Sequence, residues 1–337
     1  MLNYKKRISN DNGETNKQYK VGIVIPAYNV ESYIDKCIES VMEQTYENIV
    51  IAIVNDGSQD DTWNHILKYM KEFPTIIRSV DSENNGVMRA RLTGIRLLYD
   101  CDYILFVDAD DYLMDKDIIK ICVEYMKDAD MVCFNTEQNG KAYFKNKKKL
   151  QLTSKEGIKN ILSRQYLDGN LTAGCYKYKY VKENFKIMEC NNDDYINKAA
   201  FINACEKITV IPNIGYFYRV NAYSQTHKPM KEKDYLFYLH VQDFCRQVLV
   251  QYPEYKKEAE YFESWVLLWL VTGLNKHKEM KNLNIYNISM EEFKKHKACY
   301  IKNNYFSIKD KITFLCLEAH VFGFIYNQIY KLRRLNI

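Results

Sequence analysis

Three carboxylates follow directly after a short apolar stretch of the sequence. Residues 103–107 are apolar, and Asp108, Asp110 and Asp111 occupy three of the next four positions. The stretch is rich in β-formers and predicts a strand that is buried on both faces. Carboxylates this close repel one another unless a positive group lies among them, and hard oxygen ligands suit Mg²⁺ or Mn²⁺. Asp108 and Asp110 fall on one side of the chain. The alternative is a polar turn with Asp115 capping the next helix.

The first half of the chain alternates between short apolar runs and amphipathic stretches. Alternation of strands and helices predicts an α/β fold with a mostly parallel, Rossmann-like sheet and helices on both faces. We expect Pro26 to end the first strand, because proline cannot extend a central ladder. The predicted strands cover residues 21–27, 48–54, 75–80, 103–107 and 130–135.

Polar residues follow several of these strands. Tyr28 and Asn29 come after the first strand, residues 55–58 after the second, and the carboxylates after the fourth. Ligands bind parallel sheets at the carboxyl ends of the strands. The sequence therefore predicts that these loops meet at one crevice.

Composition places the chain among globular proteins. It has 337 residues, of which 47% are hydrophobic and 27% charged, and these proportions allow a sizeable core. The net charge of +5 is mild and no basic tract dominates. Such a charge fits a small anionic ligand or an acidic membrane surface as readily as nucleic acid. The expected partners are a small anionic ligand and a membrane surface, and no nucleic acid.

Cysteine usage and the length of the apolar runs bear on location. The ten cysteines are scattered singly without a Cys-x-x-Cys spacing, which argues for a reducing compartment. The first twenty residues are polar and unlike a signal peptide, and no apolar run reaches about 18 residues. The predicted location is the cytoplasm, with peripheral contact at the cytoplasmic face of the membrane.

Four segments in order carry a family resemblance. They are Val-Gly-Ile-Val-Ile-Pro-Ala-Tyr-Asn (21–29), Val-Asn-Asp-Gly-Ser-Gln-Asp (54–60), Glu-Asn-Asn-Gly-Val-Met-Arg-Ala-Arg (83–91) and Val-Asp-Ala-Asp-Asp (107–111). Together they resemble a family 2 glycosyltransferase with a GT-A fold, of the type that builds bacterial surface polysaccharides. The resemblance covers roughly residues 20 to 227. It implies an inverting transferase that uses a nucleotide-activated sugar, with a UDP-sugar as the expected donor, and Mn²⁺ or Mg²⁺.

The resemblance also implies roles for single residues on the donor side. Asp56 would accept the imide N–H of uracil, and its alternative role is to cap Ser58 or the next helix. Arg91 would bind phosphate or base oxygens, the alternative being a surface arginine. Asp110 would bind the metal, and Asp108 would face the ribose or the metal shell.

Other donor-side candidates come from the same motifs. Pro26, Tyr28 and Asn29 are candidate donor-binding residues at the end of the first strand. His227, in a Ser-x-Thr-His ending, is implied as a third metal ligand or a diphosphate contact, whereas a lone histidine on a loop is more often solvated. Lys177 matches a recurrent lysine of the acceptor-side segment.

The transfer also needs a general base for the acceptor hydroxyl. Asp193 and Asp194 fall where the family has a Glu-Asp pair opening a helix, predicted here over 192–205. The second member usually serves as base, so the resemblance implies Asp194 as the base and Asp193 as its support. The alternative is that Asp193 caps the helix.

Three regions are expected along the chain: a disordered lead-in (1–20), a catalytic domain (21–227) and a helical region (228–337). A last helix over about 309–335 would carry an apolar face and a basic tip. Such a helix suits an anionic membrane surface, and the alternatives are packing on the core or an interface in a homo-oligomer.

The sequence thus favours transfer of a sugar to a hydroxyl of a glycan or lipid-linked glycan. The alternative is a catalytically degenerate domain that binds nucleotide sugar or acts as a scaffold. A nucleotidyltransferase would need a Gly-rich phosphate loop after Pro26, and an NAD enzyme a Gly-x-Gly-x-x-Gly motif. The sequence has neither.

Overall fold

A parallel four-stranded unit forms one half of a larger sheet. The computed structural model describes residues 18–138, 140–142, 147–190, 192–220, 229–276 and 278–323. In this unit the strands lie in the order β3-β2-β1-β4, and every residue of β1, β2 and β4 is buried. They are β1 (Val21–Ala27), β2 (Ile49–Asp56), β3 (Ile77–Ser82) and β4 (Tyr103–Phe106).

The other half of the sheet is mixed. Beyond β4 the order continues β9-β6-β10-β5, with β6 and β10 parallel and β9 antiparallel to both of its neighbours. The longest ladders of the sheet are therefore parallel. The strands are β5 (Tyr112–Leu113), β6 (Met131–Gln138), β7 (Lys141–Ala142), β8 (Leu150–Thr153), β9 (Gly174–Lys177) and β10 (Lys207–Tyr218).

Helices cover both faces of the sheet, as predicted. Side chains alternate along β1, so that Ile23 and Ile25 belong to one hydrophobic cluster and Val24 to another. The cluster around Ile23 contains residues of α1 and α4, and the cluster around Val24 contains residues of α3, α5 and α7. These helices are α1 (Ile34–Met42), α2 (Thr62–Glu72), α3 (Val87–Leu97), α4 (Ile118–Met126), α5 (Ser154–Ser163), α6 (Tyr178–Asn184) and α7 (Asp193–Ala204).

The predicted C-terminal helices are present and pack on the sheet unit. Their buried residues belong to the same cluster as Val24 of β1, Phe106 of β4 and Phe201 of α7. None of the helices in the described ranges is long and apolar enough to cross a membrane. The C-terminal helices are α8 (Glu232–Gln251), α9 (Lys256–Leu274), α10 (Asn284–Lys295), α11 (Lys297–Lys302) and α12 (Ile308–Glu318).

The prediction of one helix over 309–335 is wrong, because α12 ends at Glu318. His320 adopts the left-handed conformation, with φ of 56°. The Val321 N–H donates to the Cys316 carbonyl at 3.0 Å and the His320 N–H to the Leu317 carbonyl at 3.1 Å. This is the Schellman arrangement, which satisfies the last carbonyls of a helix and redirects the chain. Residues 324–337, with the predicted basic tip, lie outside the described residues.

Pro26 lies inside β1 and does not end it. It pairs in register with Val54 of β2, and the strand continues to Ala27. On the other side of β1, the ladder with β4 ends at Val24 and Phe106. Proline is tolerated here because the ladder with β4 stops before it.

Close packing between α3 and β1 fixes the position of α3. A Cβ atom added at Gly94 of α3 would lie 2.7 Å from Cγ1 of Val24. No ordinary Cβ contact is this short, so only glycine allows the helix to approach the strand so closely. This approach sets the distance of the α3 side chains from the end of the sheet.

We expect Gly94→Ala to reduce the free energy of unfolding by about 1–3 kcal/mol, because it overpacks the α3–β1 contact. Val24→Ala makes room for the added methyl group, so the double variant should lose less stability than the two single variants together. Urea unfolding of all four proteins measures the coupling. Strictly additive losses would contradict the close contact, and Thr93→Ala on the same helix serves as a control.

Candidate functional site

The first of the predicted carboxylates lies just past the end of β4. Asp108 Oδ1 accepts a hydrogen bond from Nη2 of Arg91 at 2.6 Å, and the Asp108 side chain is 31% exposed. Its backbone N–H donates to the hydroxyl of Tyr216 on β10 at 3.1 Å. Asp108 therefore lies between α3 and β10, with part of its surface open to the crevice.

Asp111 lies beneath this end of the strand and is buried. Its carboxylate accepts hydrogen bonds from the Tyr216 hydroxyl and from the Arg219 N–H, each at 2.7 Å. Burial raises the pKa of Asp111 to about 8, and the negative charges of Asp108 and Asp110 add to the effect. The crowding of negative charge that the sequence predicted is thus present in the folded chain.

Arg219 contacts the carboxylate loop, although sequence reasoning assigned it no role. Its Nε donates to the backbone carbonyl of Asp110 at 2.8 Å, and its guanidinium lies 4.8 Å from the centre of the Tyr33 ring. Tyr218 and Arg219 stand shortly before the Ser-x-Thr-His segment in the sequence, and this Tyr-Arg pair could have signalled the residue. Arg219 joins the end of β10 to the loop after β4.

Arg91 is buried, with 3% of its surface exposed, and joins two carboxylates from distant parts of the chain. Nη2 donates to Asp108, and Nη1 donates to Asp194 of α7. Burial lowers the pKa of Arg91, but the Asp194 and Asp108 carboxylates outweigh burial and raise it above the usual value. The structure places Arg91 in the crevice as predicted, with its guanidinium shared between two side chains of the protein.

Asp194 and Asp193 open α7, and they differ in exposure. The side chain of Asp194 is 23% exposed, whereas Asp193 is 7% exposed. Burial raises the pKa of Asp194, and the guanidinium of Arg91 and the backbone N–H of Leu171 oppose this rise. Burial, followed by the charge of Asp194, raises the pKa of Asp193 to about 7.

The alternative role for Asp193, as the N-cap of the helix, is wrong. The N-cap of α7 is Asn192, which has a φ of 58°, and Asp193 is the first helical residue. Asp194 is therefore the member of the pair that contacts Arg91 and reaches the crevice, while Asp193 lies deeper.

Asp56 ends β2 and binds the loop before α3. Its Oδ1 accepts from the Asn85 N–H at 2.8 Å and its Oδ2 from the Gly86 N–H at 2.9 Å. Gly57, with φ of 71°, lets the two loops approach, because a Cβ there would lie 2.7 Å from the Asn84 nitrogen. Neither of the predicted capping alternatives, on Ser58 or on α2, describes these contacts.

The loop after β1 is tied to the loop after β2. Asn29 Oδ1 accepts from the Gln59 N–H at 2.8 Å, and the Asn29 N–H donates to Oγ of Ser58 at 3.0 Å. Tyr28 beside it is 48% exposed. Together with Pro26 one residue before the end of β1, these residues line the same edge of the sheet as Asp56, as predicted.

One other candidate is not brought to this edge. Lys177 ends β9 in register with Tyr103, the first residue of β4, and pairs with Asp130 at 2.7 Å. It therefore lies at the opposite end of β4 from Asp108. His227 lies outside the described residues.

The carboxylates of this crevice fit a divalent cation whose remaining ligands come from a bound substrate and water. Within the described ranges, no group of three or more His, Cys, Asp or Glu side chains could hold a metal ion. Magnesium-type ions in phosphate sites commonly take one or two carboxylates, and phosphate and water oxygens complete the shell. The partly exposed Asp108 and Asp110 beside the buried Asp111 match this kind of donor set.

Comparison with known proteins connects this geometry to a family. Residues 22–185 match the sequence model described as Glycosyl transferase family 2. Over this range the chain is similar to the family 2 glycosyltransferases. The matched range contains Asp56, Arg91, Asp108 and Asp110, and it ends before Asp194.

Named glycosyltransferases are similar to part of the chain. Glycosyltransferase GlyA of Streptococcus pneumoniae is 38% identical over 131 residues, which are 37% of this chain and 18% of that protein. Chondroitin synthase of Escherichia coli is 33% identical over 138 residues, covering 40% of this chain and 20% of the relative. The similarity thus spans about a fifth of the length of these relatives.

Solved structures extend the likeness of fold to nearly the whole chain. S. aureus TarS 1–349 superposes with a TM-score of 0.64 at 15% identity, over 94% of this chain and 92% of TarS. Its complex with UDP-GlcNAc gives 0.60 at 16% identity and the same coverage. A mannosyltransferase from Pyrobaculum calidifontis, in complex with GDP-Man and Mn²⁺, gives 0.53 at 12% identity, over 93% and 91%. The predicted GT-A fold is confirmed, including the C-terminal helices.

Proposed function

We propose that this chain is a metal-dependent, inverting glycosyltransferase. The donor is a nucleotide sugar, with UDP-sugars as the first candidates, and the acceptor is a hydroxyl of a glycan or lipid-linked glycan. The observation that carries the proposal is the contact of one buried guanidinium, that of Arg91, with both Asp108 and Asp194. This contact supports the proposal because it brings Asp108, on the proposed diphosphate side, and Asp194, the proposed base, to the same side chain.

Asp194 is the proposed general base. Its carboxylate accepts the proton of the acceptor hydroxyl while that oxygen forms a bond to the anomeric carbon of the sugar. The bond from this carbon to the diphosphate oxygen breaks, and the nucleoside diphosphate leaves with the electron pair. Burial raises the pKa of Asp194, which makes the carboxylate a stronger base than an exposed aspartate.

The donor side is proposed to hold a divalent cation, Mn²⁺ or Mg²⁺. Asp108 and Asp110 would hold it, and when bound it would neutralise charge on the leaving diphosphate. Asp111 supports this loop through Tyr216 and the Arg219 N–H. Asp56 fixes the loop before α3, and the base of the nucleotide is proposed to lie beside it, near Tyr28 and Asn29.

Relatives support the proposed class of donor. A structural neighbour binds UDP-GlcNAc, and a relative at 33% identity is named a chondroitin synthase. A UDP-linked hexose or N-acetylhexosamine is therefore the donor class to test first. The competing hypothesis is a degenerate domain that binds nucleotide sugar without transfer. It predicts donor binding without any turnover.

The first test is a screen of UDP-sugars with Mn²⁺, read by calorimetric binding and by release of UDP. We expect one UDP-sugar to bind and to be slowly hydrolysed, with water as the acceptor. Asp110→Ala should abolish the stimulation by Mn²⁺, because it removes a proposed ligand. Asp115→Ala, beyond the carboxylate cluster, is the matched control. Metal-stimulated turnover in Asp110→Ala would contradict the metal assignment, and binding without any turnover would favour the degenerate domain.

A second test addresses the base. We expect Asp194→Asn to lower kcat by about 10²- to 10⁴-fold while the affinity for the UDP-sugar changes little, because only proton transfer is removed. Asp193→Asn is the matched control and should lose much less. If Asp194→Asn had the same kcat as the parent protein, another residue would be the base. A larger loss in Asp193→Asn would reverse the two roles.

An exposed apolar face on α12 supports the proposed membrane contact. Ile308, Ile312 and Leu315 are 79%, 55% and 53% exposed, and their spacing places them on one side of the helix. Phe314 and Leu317 pack on the core from the other side, with 2% and 1% exposed. An outward apolar face with lysines at 309 and 311 suits an anionic lipid surface.

We expect Ile312→Glu/Leu315→Glu to reduce co-sedimentation with phosphatidylserine vesicles at least several-fold, because it places two acidic charges on this face. Val250→Glu, at a position 86% exposed on α8, is the matched control. Unchanged vesicle binding would rule out this face as the contact. A loss of self-association, measured by sedimentation velocity, would instead assign the face to a homo-oligomer.

A further inference from the structure

Lys198 is a charged residue that lies almost completely inside the protein. It is 1% exposed and lies on α7, one turn after Asp194. Burying an ammonium group is costly unless it is paired and hydrogen-bonded. The proposed reaction gives Lys198 no part, so its burial calls for another explanation.

The partners of Lys198 all lie in one segment, residues 168–171, between α5 and β9. Its Nζ donates to Asp168 Oδ1 at 2.9 Å and to the Asn170 carbonyl at 2.8 Å. The same Asp168 oxygen accepts the Asn170 N–H at 3.1 Å. Asp168 is 7% exposed, so the ion pair is buried on both sides. Lys198 therefore holds this segment against α7.

A second contact holds the same segment against α7 from the side of Tyr195. A Cβ at Gly169 would lie 1.7 Å from Cδ2 of the Tyr195 ring, so glycine is needed where the ring lies on the backbone. The Tyr195 hydroxyl donates to the Ile161 carbonyl at 3.1 Å. The segment thus has one position relative to the helix, and Lys198 supplies the charged part of that contact.

The segment in turn lies close to the proposed base. The backbone N–H of Leu171 opposes the rise in the pKa of Asp194, as the guanidinium of Arg91 does. The Leu171 carbonyl accepts from the Tyr176 hydroxyl at 2.8 Å, and Leu171 is fully buried. Displacement of residues 168–171 relative to α7 would therefore change the surroundings of Asp194, which lies one turn before Lys198 on that helix.

We propose that Lys198 is a positioning residue for the transfer reaction: it clamps residues 168–171 to α7 and so holds in place the first turn of that helix, which carries Asp194. This inference rests on the proposed function of Asp194 as base. Lys198 touches no reacting atom, and its effect passes through Asp168 and Asn170 to the position of α7. Small displacements of a catalytic group lower the rate of the chemical step strongly while leaving substrate binding intact.

Lys198→Met tests the clamp, since methionine fills the space of the aliphatic stem without the charge. The rate to compare is kcat for hydrolysis of the UDP-sugar selected by the screen, divided by the number of UDP-binding sites. We expect this rate to fall about 10- to 100-fold. Calorimetric titration with UDP counts competent sites, and the affinity for UDP should stay within about twofold. Lys177→Met, which breaks the Lys177–Asp130 pair at the opposite end of β4, is the matched control and should keep kcat.

A double variant separates the clamp from simple charge compensation. Lys198→Met/Asp168→Asn removes both buried charges, so stability lost in the single variant should largely return. The clamp is still absent, and kcat per site should remain low. Recovery of the parent kcat in the double variant would overturn the proposal, because Lys198 would then serve only to neutralise Asp168.

An activity-free measurement keeps this result separate from the proposed function. Hydrogen exchange resolved at single amides should show faster exchange at Leu171 in Lys198→Met, with Tyr176 in β9 unchanged. Unchanged protection at Leu171 would overturn the clamp even in an active enzyme. If the parent protein binds no nucleotide sugar, the proposed function fails, and the exchange at Leu171 still decides whether the clamp exists.

Discussion

One buried guanidinium connects the two sides of the crevice. Arg91 is held on α3 and donates to Asp108, which follows β4, and to Asp194, which opens α7. The two carboxylates come from separate parts of the chain and would repel each other without it. The favourable interactions with both outweigh the cost of burying the arginine, as the raised pKa of Arg91 indicates. The relative position of β4 and α7 at the crevice depends on this contact.

Several packing devices place Arg91 and its partners. Gly94 lets α3 approach β1, and Asp56 fixes the loop from which α3 begins. On the other side, Tyr216 of β10 binds both the Asp108 N–H and the Asp111 carboxylate, so the mixed half of the sheet holds the carboxylate loop. Each of these contacts fixes one of the elements around Arg91. Together they hold the carboxylates close to one another despite their like charges.

Two predictions of where a strand or helix ends were wrong, because pairing with a distant strand or a backbone conformation set the actual end. Pro26 was expected to end β1, but the ladder with β4 had already stopped at Val24, so the strand continues. A single long helix was expected from residue 309, but His320 takes the left-handed conformation and closes a Schellman motif. Side-chain periodicity reports which face of an element is apolar, and it does not report where hydrogen bonds of the backbone are satisfied.

The sequence by itself determined the alternating α/β order, the burial of β1, β2 and β4, and the position of the polar loops at the strand ends. These follow from apolar runs and local turn residues, which act over a few positions. Only the tertiary structure decided that Arg91 joins Asp108 to Asp194, and that Lys198 lies buried on the segment ending at Leu171. Such contacts join residues far apart in the chain, and the energy that selects them comes from burial and charge pairing, which no local pattern of residues records.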